Sequence, residues 1–310
     1  MGNRLKDQVA IVTGGGRGVG RGISLQLAAE GAKVVVNDLG GTVDGKGSSA
    51  EPADQVVSEI KKAGGTAIPC YESVASMVGG ENIIKTALDK FGKLDILVHC
   101  AGILRDRMIF NMAEEEFDVV IQVHLKGMFA LAKPASVLFR QQRSGRIVAM
   151  TSTSGLYGNA GQGNYGAAKD GIAGFVRTVA RDLGRYGVTV NGIAPFADTR
   201  MTATVSQEAK DKRSAAGIQE MVGDLFASRK RPPEAIAPVV AFLCTEAAKN
   251  INGQFFLVNG GEISLLTNPY AAKTMQKSGR WTFEEMALLM PSTLTKDLMN
   301  PAPPMVPAKS

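Results

Sequence analysis

Short runs rich in β-branched residues recur along this chain and alternate with stretches of helical periodicity. The runs at 8–13, 33–38, 66–70, 94–98, 145–151, 188–194 and 254–258 predict buried strands. Between them apolar residues return every three or four positions. Ile23, Leu27 and Ala28 predict one helix, and the segments 55–63, 82–91, 114–140, 165–186 and 233–245 predict others. Pro134 should bend the longest of these. Strand–helix alternation of this kind implies an α/β fold, a doubly wound parallel sheet of Rossmann type.

Three stretches depart from the alternation. Residues 39–53 are polar and Gly-rich, long for a connection, and read either as a loop folding over a ligand or as a mobile surface loop. Residues 195–231 are polar and helix-prone and follow a strand end, which suits a lid. Their Lys210, Lys212, Arg213, Arg229, Lys230 and Arg231 would meet an anionic group or form a solvated face. The periodicity changes beyond Leu266, where only 281–289 suggests a short helix and 300–310 is Pro-rich. We therefore expect one domain over 1–262 and a C-terminal extension over 263–310.

Candidate chemistry falls at the carboxyl ends of the strands, where open α/β sheets bind ligands. After the first strand comes Gly14-Gly15-Gly16-Arg17-Gly18-Val19-Gly20, opening a helix. Glycines there let the backbone approach a pyrophosphate at the positive helix N-terminus. Asp38 ends the second strand, about 20 residues further on, where a carboxylate can accept from the ribose hydroxyls of an adenosine. It would repel a 2′-phosphate, so it argues for NAD over NADP. Arg17 pulls the other way, unless it pairs with the pyrophosphate or solvent. Ala101 and Gly102 end a later strand and would let the backbone reach a cofactor ribose. Pro195 ends another.

The segment 152–169 carries Ser152, Tyr165 and Lys169. In a helix Tyr165 and Lys169 share a face. A phenol titrates near 10, and a neighbouring ammonium should lower that value. Ser152 can donate a hydrogen bond to a substrate oxygen. The three suit interconversion of an alcohol and a carbonyl, with Tyr165 as acid or base.

Composition narrows the alternatives. The 310 residues carry a net charge of +6 that is scattered, which disfavours nucleic-acid binding. No run of apolar residues is long enough for a membrane span, and the first strand starts too early for a leader peptide. Three isolated cysteines and two histidines build no metal cluster, and free thiols suit a reducing, cytoplasmic setting.

As a set, these residues resemble the short-chain dehydrogenase/reductase family over roughly residues 5–262. Thr13-Gly14-x-x-x-Gly18-x-Gly20 matches its cofactor turn, and Ser152, Tyr165 and Lys169 match its catalytic residues at the family's spacing. Within it the chain is most similar to the (3R)-hydroxyacyl-CoA dehydrogenase part of multifunctional enzyme type 2. The carrying segments include 36–41, 101–107, 123–127, 154–159 and 200–205. The resemblance implies an NAD-dependent enzyme acting on a small-molecule substrate, an acyl-CoA by best match, and a homodimer or homotetramer. It also implies Ser73 and Val74 beside the adenine, and Lys169 on the nicotinamide ribose with Tyr165 close by. A hydroxysteroid or other alcohol is the alternative substrate, and a catalytically idle cofactor-binding subunit the alternative of another class. Three positions depart from the family pattern. His99-Cys100 replaces Asn-Asn, His124 stands at a catalytic Asn position, and Phe196 follows Pro195 where Gly is common.

Overall fold

The computed structural model describes residues 2–199, 231–298 and 300–301. The described residues contain an eight-stranded sheet in the order β3-β2-β1-β4-β5-β6-β7-β8. Its strands are β1 (Val9–Thr13), β2 (Lys33–Asn37), β3 (Thr66–Cys70), β4 (Ile96–His99), β5 (Gly145–Met150), β6 (Val188–Pro195), β7 (Phe255–Asn259) and β8 (Glu262–Leu266). All pairings are parallel except β7 with β8. The doubly wound α/β fold expected from the alternation is therefore present. β8 escapes sequence reading because it alternates at a sheet edge, with Ile263 and Leu265 exposed.

The apolar runs are continuous because both sheet faces are covered. Val34 and Val36 point into one core with Ile23, Leu27 and Val240, while Val35 points into the other with Ile83, Met128 and Ile172. The first core lies under α1 (Gly18–Ala29), α2 (Glu51–Lys62) and α8 (Ala237–Leu243). The second lies under α3 (Met77–Phe91), α5 (Gly127–Gln142) and α7 (Gly163–Gly184).

Two helix starts precede their expected positions. α2 begins at Glu51 with Pro52 in its first turn, where a missing N–H costs nothing. α3 begins at Met77 behind Ser76, whose hydroxyl accepts from Gly79 N at 3.1 Å. Gly79 and Gly80 hide that start in the sequence. A Cβ on Gly80 would come within 2.5 Å of the Ala130 carbonyl oxygen, so glycine is what lets α3 lie close against α5.

The single helix expected over 114–140 is instead α4 (Glu114–Ile121), a π-helical turn (Gln122–Lys126) and α5, with Pro134 inside α5. π-turns of this kind often mark functional sites. A one-turn α6 (Thr153–Leu156) separates β5 from α7.

Residues through Leu266 form one compact unit within the described chain, and those from Thr267 belong to a second. In the latter, α9 (Phe283–Leu289) is capped reciprocally by Thr282 and Glu285. Lys277 pairs with Glu285 and lies over the Trp281 ring. No described helix is long and apolar enough to cross a membrane. Residues 200–230, most of the expected lid with five of the six basic residues named above, lie outside the described residues.

Candidate active site

β2 and β3 lie to one side of β1 and β4 to the other, so the topological switch falls between β1 and β4. Ligands of open α/β sheets bind outside the strand ends at such a switch. Thr13 and His99 are register partners there. The Thr13 hydroxyl lies 3.0 Å from His99 Nδ1 and accepts from the backbone N–H groups of Cys100 and Ala101 at 3.2 and 3.3 Å.

His99 Nε2 is 3.0 Å from the His124 carbonyl oxygen. A carbonyl only accepts, so Nε2 carries the proton. Burial, helped by the Lys169 ammonium, pushes His99 down to about 3. The ring is thus neutral, and its Nδ1 accepts from the Thr13 hydroxyl. The substitution at position 99 therefore yields a complete brace running from β1 through β4 to the π-turn.

His124 itself is buried and neutral, held well below its usual range by burial and then by Lys169. Its Nε2 lies 3.0 Å from Ile103 N and 2.8 Å from Ile103 O, and a neutral ring makes one of these two bonds. Its ring stands edge-on to Tyr165 with centroids 5.2 Å apart. Gly102 is required beneath it, since a Cβ there would come within 2.3 Å of His124 Cε1.

On the cofactor side, Gly14 has φ +63°, and a Cβ would reach 2.8 Å from Ala101 Cα. A Cβ on Gly20 would lie 2.0 Å from the Gly14 carbonyl oxygen. Gly18, at φ +51°, faces open space out to 3.8 Å, a concavity that a side chain would fill. Val19 follows it in the first turn of α1, which carries no acidic residue. An anionic pyrophosphate fits this cradle by shape and by helix polarity.

The Asp38 carboxylate accepts from Gly16 N at 2.9 Å and Gly40 N at 2.7 Å, so it braces the turn while facing it. Arg17 donates to the Gly41 carbonyl at 3.0 Å. The Gly-rich loop continues across the sheet edge. Leu104 N donates to Val43 O, and Arg105 Nε to Asp44 O, both at 2.9 Å. Ser73 and Val74 follow β3 at the same edge, with Val74 buried. Pro195 closes β6. Phe196 beyond it donates its N–H to Val258 O at 2.9 Å, and its ring lies under the Arg231 guanidinium.

Ser152, Tyr165 and Lys169 meet at this edge. The Ser152 hydroxyl is near enough to the Tyr165 phenol to lower its pKa, and it caps α6 by accepting from Ser154 N at 3.1 Å. Lys169 is buried, donates to the Met150 carbonyl at 2.8 Å, and has its nitrogen 5.6 Å from the Tyr165 ring centroid. Thr151 anchors the same helical turn by donating to the Lys169 carbonyl at 2.8 Å.

One expectation is corrected. Lys169 does not hold the phenol below its usual value here. Burial pushes Tyr165 up to about 12, the Ser152 hydroxyl lowers it, and Asp106 and Cys100 raise it again. Desolvation prevails because Lys169 is turned toward Met150 and is itself pushed down to about 8 by burial. Cys100 is pushed up to about 11, chiefly by burial, and stays a neutral thiol. Sequence reasoning also missed Asn164, wholly buried beside Tyr165. An Asn before Tyr signals nothing until the fold supplies carbonyl partners.

Comparison with known proteins agrees with this geometry. The short chain dehydrogenase family model matches residues 8–210. A short-chain type dehydrogenase/reductase of Mycobacterium tuberculosis is 46% identical over 259 residues, covering 84% of each chain. Peroxisomal multifunctional enzyme type 2 of Mus musculus is 42% identical over 85% of this chain, which spans only 33% of that enzyme's length. The hydroxyacyl-CoA dehydrogenase ChsB1 of M. tuberculosis is 37% identical, covering 89% of this chain and 84% of its own. Among solved structures, a short chain dehydrogenase from Mycobacterium avium aligns over 98% of both chains with TM-score 0.79 and 39% identity. A 7α-hydroxysteroid dehydrogenase in complex with NADH and a 7-oxo bile acid aligns over 84% of this chain and 96% of its own, with TM-score 0.72 and 31% identity. Turn, brace and Ser-Tyr-Lys group thus sit in a sheet shared with these proteins, and the chain belongs to the short-chain dehydrogenases, oxidoreductases that act on hydroxyl groups.

Proposed function

We propose that this protein is an NAD-dependent dehydrogenase that interconverts a 3-hydroxyacyl-CoA and its 3-oxoacyl-CoA. The observation that carries the reading is the meeting of Ser152, Tyr165 and Lys169 beside a glycine cradle braced by Asp38. The hydroxyacyl-CoA dehydrogenase ChsB1 and the multifunctional enzyme support the acyl-CoA class.

Gly14, Arg17, Gly18, Val19 and Gly20 would hold the pyrophosphate, with Asp38 on the adenosine ribose and Ser73 and Val74 by the adenine. Ala101, Gly102, Tyr165, Lys169 and Pro195 would flank the nicotinamide end. NAD, when bound, supplies the hydride acceptor. Ser152 holds the substrate oxygen by donating a hydrogen bond to it. Tyr165 takes the hydroxyl proton in oxidation and returns it in reduction. A phenol near 12 is a poor base at neutral pH, so the protein must gain phenolate character when the site is filled. Lys169 is placed to supply that gain. Its ammonium needs only to swing from the Met150 carbonyl toward the phenol. Residues 1–262 would carry this machinery.

Oxidation of a panel of 3-hydroxyacyl-CoAs, free hydroxysteroids and simple alcohols, with NAD and NADP side by side, tests the reading. We expect turnover of the thioesters with NAD and little with the free alcohols. The likeness to a 7α-hydroxysteroid dehydrogenase favours steroids as the second reading, and steroid turnover without thioester turnover would replace the first. Preference for NADP would mean that Arg17 outweighs Asp38. Absence of any turnover, with NAD still bound, would favour the idle subunit.

A further inference from the structure

The Gly-rich loop after β2 is bonded to both sides of the strand it passes. β1 lies between β2 and β4, and the glycine turn sits at its carboxyl end. Residues 39–49 leave β2, bond to the chain leaving β4, and return to α2. They therefore cross the sheet edge over the end of β1. Strands in a sheet lie about 4.8 Å apart, so the crossing spans roughly 10 Å. A dinucleotide held by the glycine turn, with Asp38 on its adenosine and Ala101 and Gly102 near its other end, would run across the same edge.

The loop is closed at its base and folded on itself. Ser49 N donates to Leu39 O at 3.0 Å, Thr42 N to Lys46 O at 2.9 Å, and Lys46 N to the Thr42 hydroxyl at 3.0 Å. Groups outside the loop fix where it lies. On the β2 side Asp38 accepts from Gly40 N, and Arg17 donates to Gly41 O. On the β4 side Leu104 N donates to Val43 O and Arg105 Nε to Asp44 O, both at 2.9 Å. Gly45 rests on Ile103, where a Cβ would lie 3.0 Å from Ile103 Cδ1. Ile103 is itself buried, in a small core with Val120 and Ala168.

The anchor on the β4 side is firm. The Arg105 carbonyl accepts from Asn164 Nδ2 at 2.8 Å, at the start of α7, and its guanidinium pairs with Glu115 at 3.3 Å. The loop is not firm in the same way. None of residues 39–49 is buried. Hydrogen bonds and one glycine contact hold it, with no core of its own, and such segments open at a fraction of the cost of global unfolding. These ties join protein groups to protein groups. Opening them therefore costs the same for a cofactor that enters as for one that leaves.

We propose that residues 39–49 are a gate on dinucleotide exchange, latched to the β4 side by Arg105. The inference rests on the glycine turn and Asp38 holding a dinucleotide. It goes beyond that reading by naming what controls entry and release. Arg105 is a positioning residue, since it touches the loop and not the reacting atoms. The cradle sets how tightly the cofactor binds, and the latch sets how fast it exchanges.

The test is stopped-flow fluorescence of NADH entry and release, with NADPH run beside it, on wild type and Arg105→Ala. The variant keeps the backbone bond to Asn164 and removes the latch. Entry and release should both quicken roughly tenfold, for one charge-assisted hydrogen bond, with Kd within about threefold of wild type. Wild-type rates in the variant overturn the gate. So does a weaker Kd carried by release alone, which would make the loop a binding surface. Should Arg105→Ala not fold, Gly45→Val and Gly47→Val carry the test. Their φ angles are +85° and +70°, so both substitutions strain the loop backbone. Only the first also meets Ile103, because a Cβ on Gly47 has nothing within 4 Å. Faster exchange in Gly45→Val than in Gly47→Val supports the gate, and equal rates overturn it. The wild type tells the two failures apart. If it binds neither NADH nor NADPH, the cofactor reading falls and the gate with it. If it binds one of them at rates that Arg105→Ala leaves unchanged, the gate alone falls.

Discussion

The two halves of the site are built from different materials. The cofactor half is backbone: glycines with no Cβ, N–H groups at a helix start, and one carboxylate bracing the turn. The proton half is side chains, the half-buried Tyr165 with the buried Lys169, His99 and His124, all displaced from their usual titration ranges, chiefly by desolvation. A cofactor present in every turnover needs a shape that is always there. A proton that must move needs groups whose charge state is finely balanced, and only a desolvated environment supplies that balance.

Substitutions can break the two halves separately. The largest effect is expected from Tyr165→Phe, which keeps the ring against His124 and removes the proton. We predict a loss of about 10²–10⁴-fold in kcat with NAD affinity unchanged by calorimetry. A parallel loss of NAD affinity would show that the halves are not separable.

Gly20→Val attacks the other half. Even a Cβ would lie 2.0 Å from the Gly14 carbonyl oxygen, and that backbone cannot yield without opening the cradle. We predict at least a tenfold rise in the Kd for NAD and a loss of about 1–3 kcal/mol in urea unfolding. Retained NAD affinity would mean that the turn is not the pyrophosphate site.

The histidine brace makes the proton half sensitive to acid. Both imidazoles have folded values below their unfolded one near 6.5, so the unfolded chain binds more protons at mildly acid pH. Stability from this source is complete above about 6.5 and falls as pH drops toward about 3 for His99. Each histidine contributes up to about 1.4 kcal/mol per pH unit across its window. His99→Asn should therefore lose stability at pH 7 and show a shallower fall between pH 6.5 and 4.5, read from urea midpoints. An unchanged slope would mean that His99 is already protonated in the native protein.

The smallest expected effect serves as a control outside both halves. Ser76→Ala removes the cap of α3 and should cost about 1 kcal/mol of stability while kcat and KM stay at wild-type values.

The halves also differ in how well they can be read from residues alone. The glycine turn lies in seven consecutive positions, and backbone geometry demands glycine there by residue type. The proton half is drawn from β4, the π-turn, the end of β5 and α7, segments far apart in the chain. Ser152, Tyr165 and Lys169 are legible because two of them share one helical face and the third lies just past the preceding strand. The Thr13–His99–His124 brace is not. Its partners become neighbours only when β1 and β4 lie side by side. The π-turn was hidden for a related reason. Helical periodicity continues through 114–140, and one extra residue per turn leaves hardly a trace in an apolar pattern.

The alternation of strands and helices, the doubly wound sheet, the glycine cradle and the choice of Ser152, Tyr165 and Lys169 as candidate catalytic side chains are local properties, set by periodicity, spacing and residue type. The tertiary structure decided what those groups are worth. It placed Lys169 on the Met150 carbonyl, desolvated the phenol so that it resists ionisation, and made neutral imidazoles into structural donors and acceptors. These outcomes depend on desolvation and on partners from distant segments, and both arise only once the sheet is assembled.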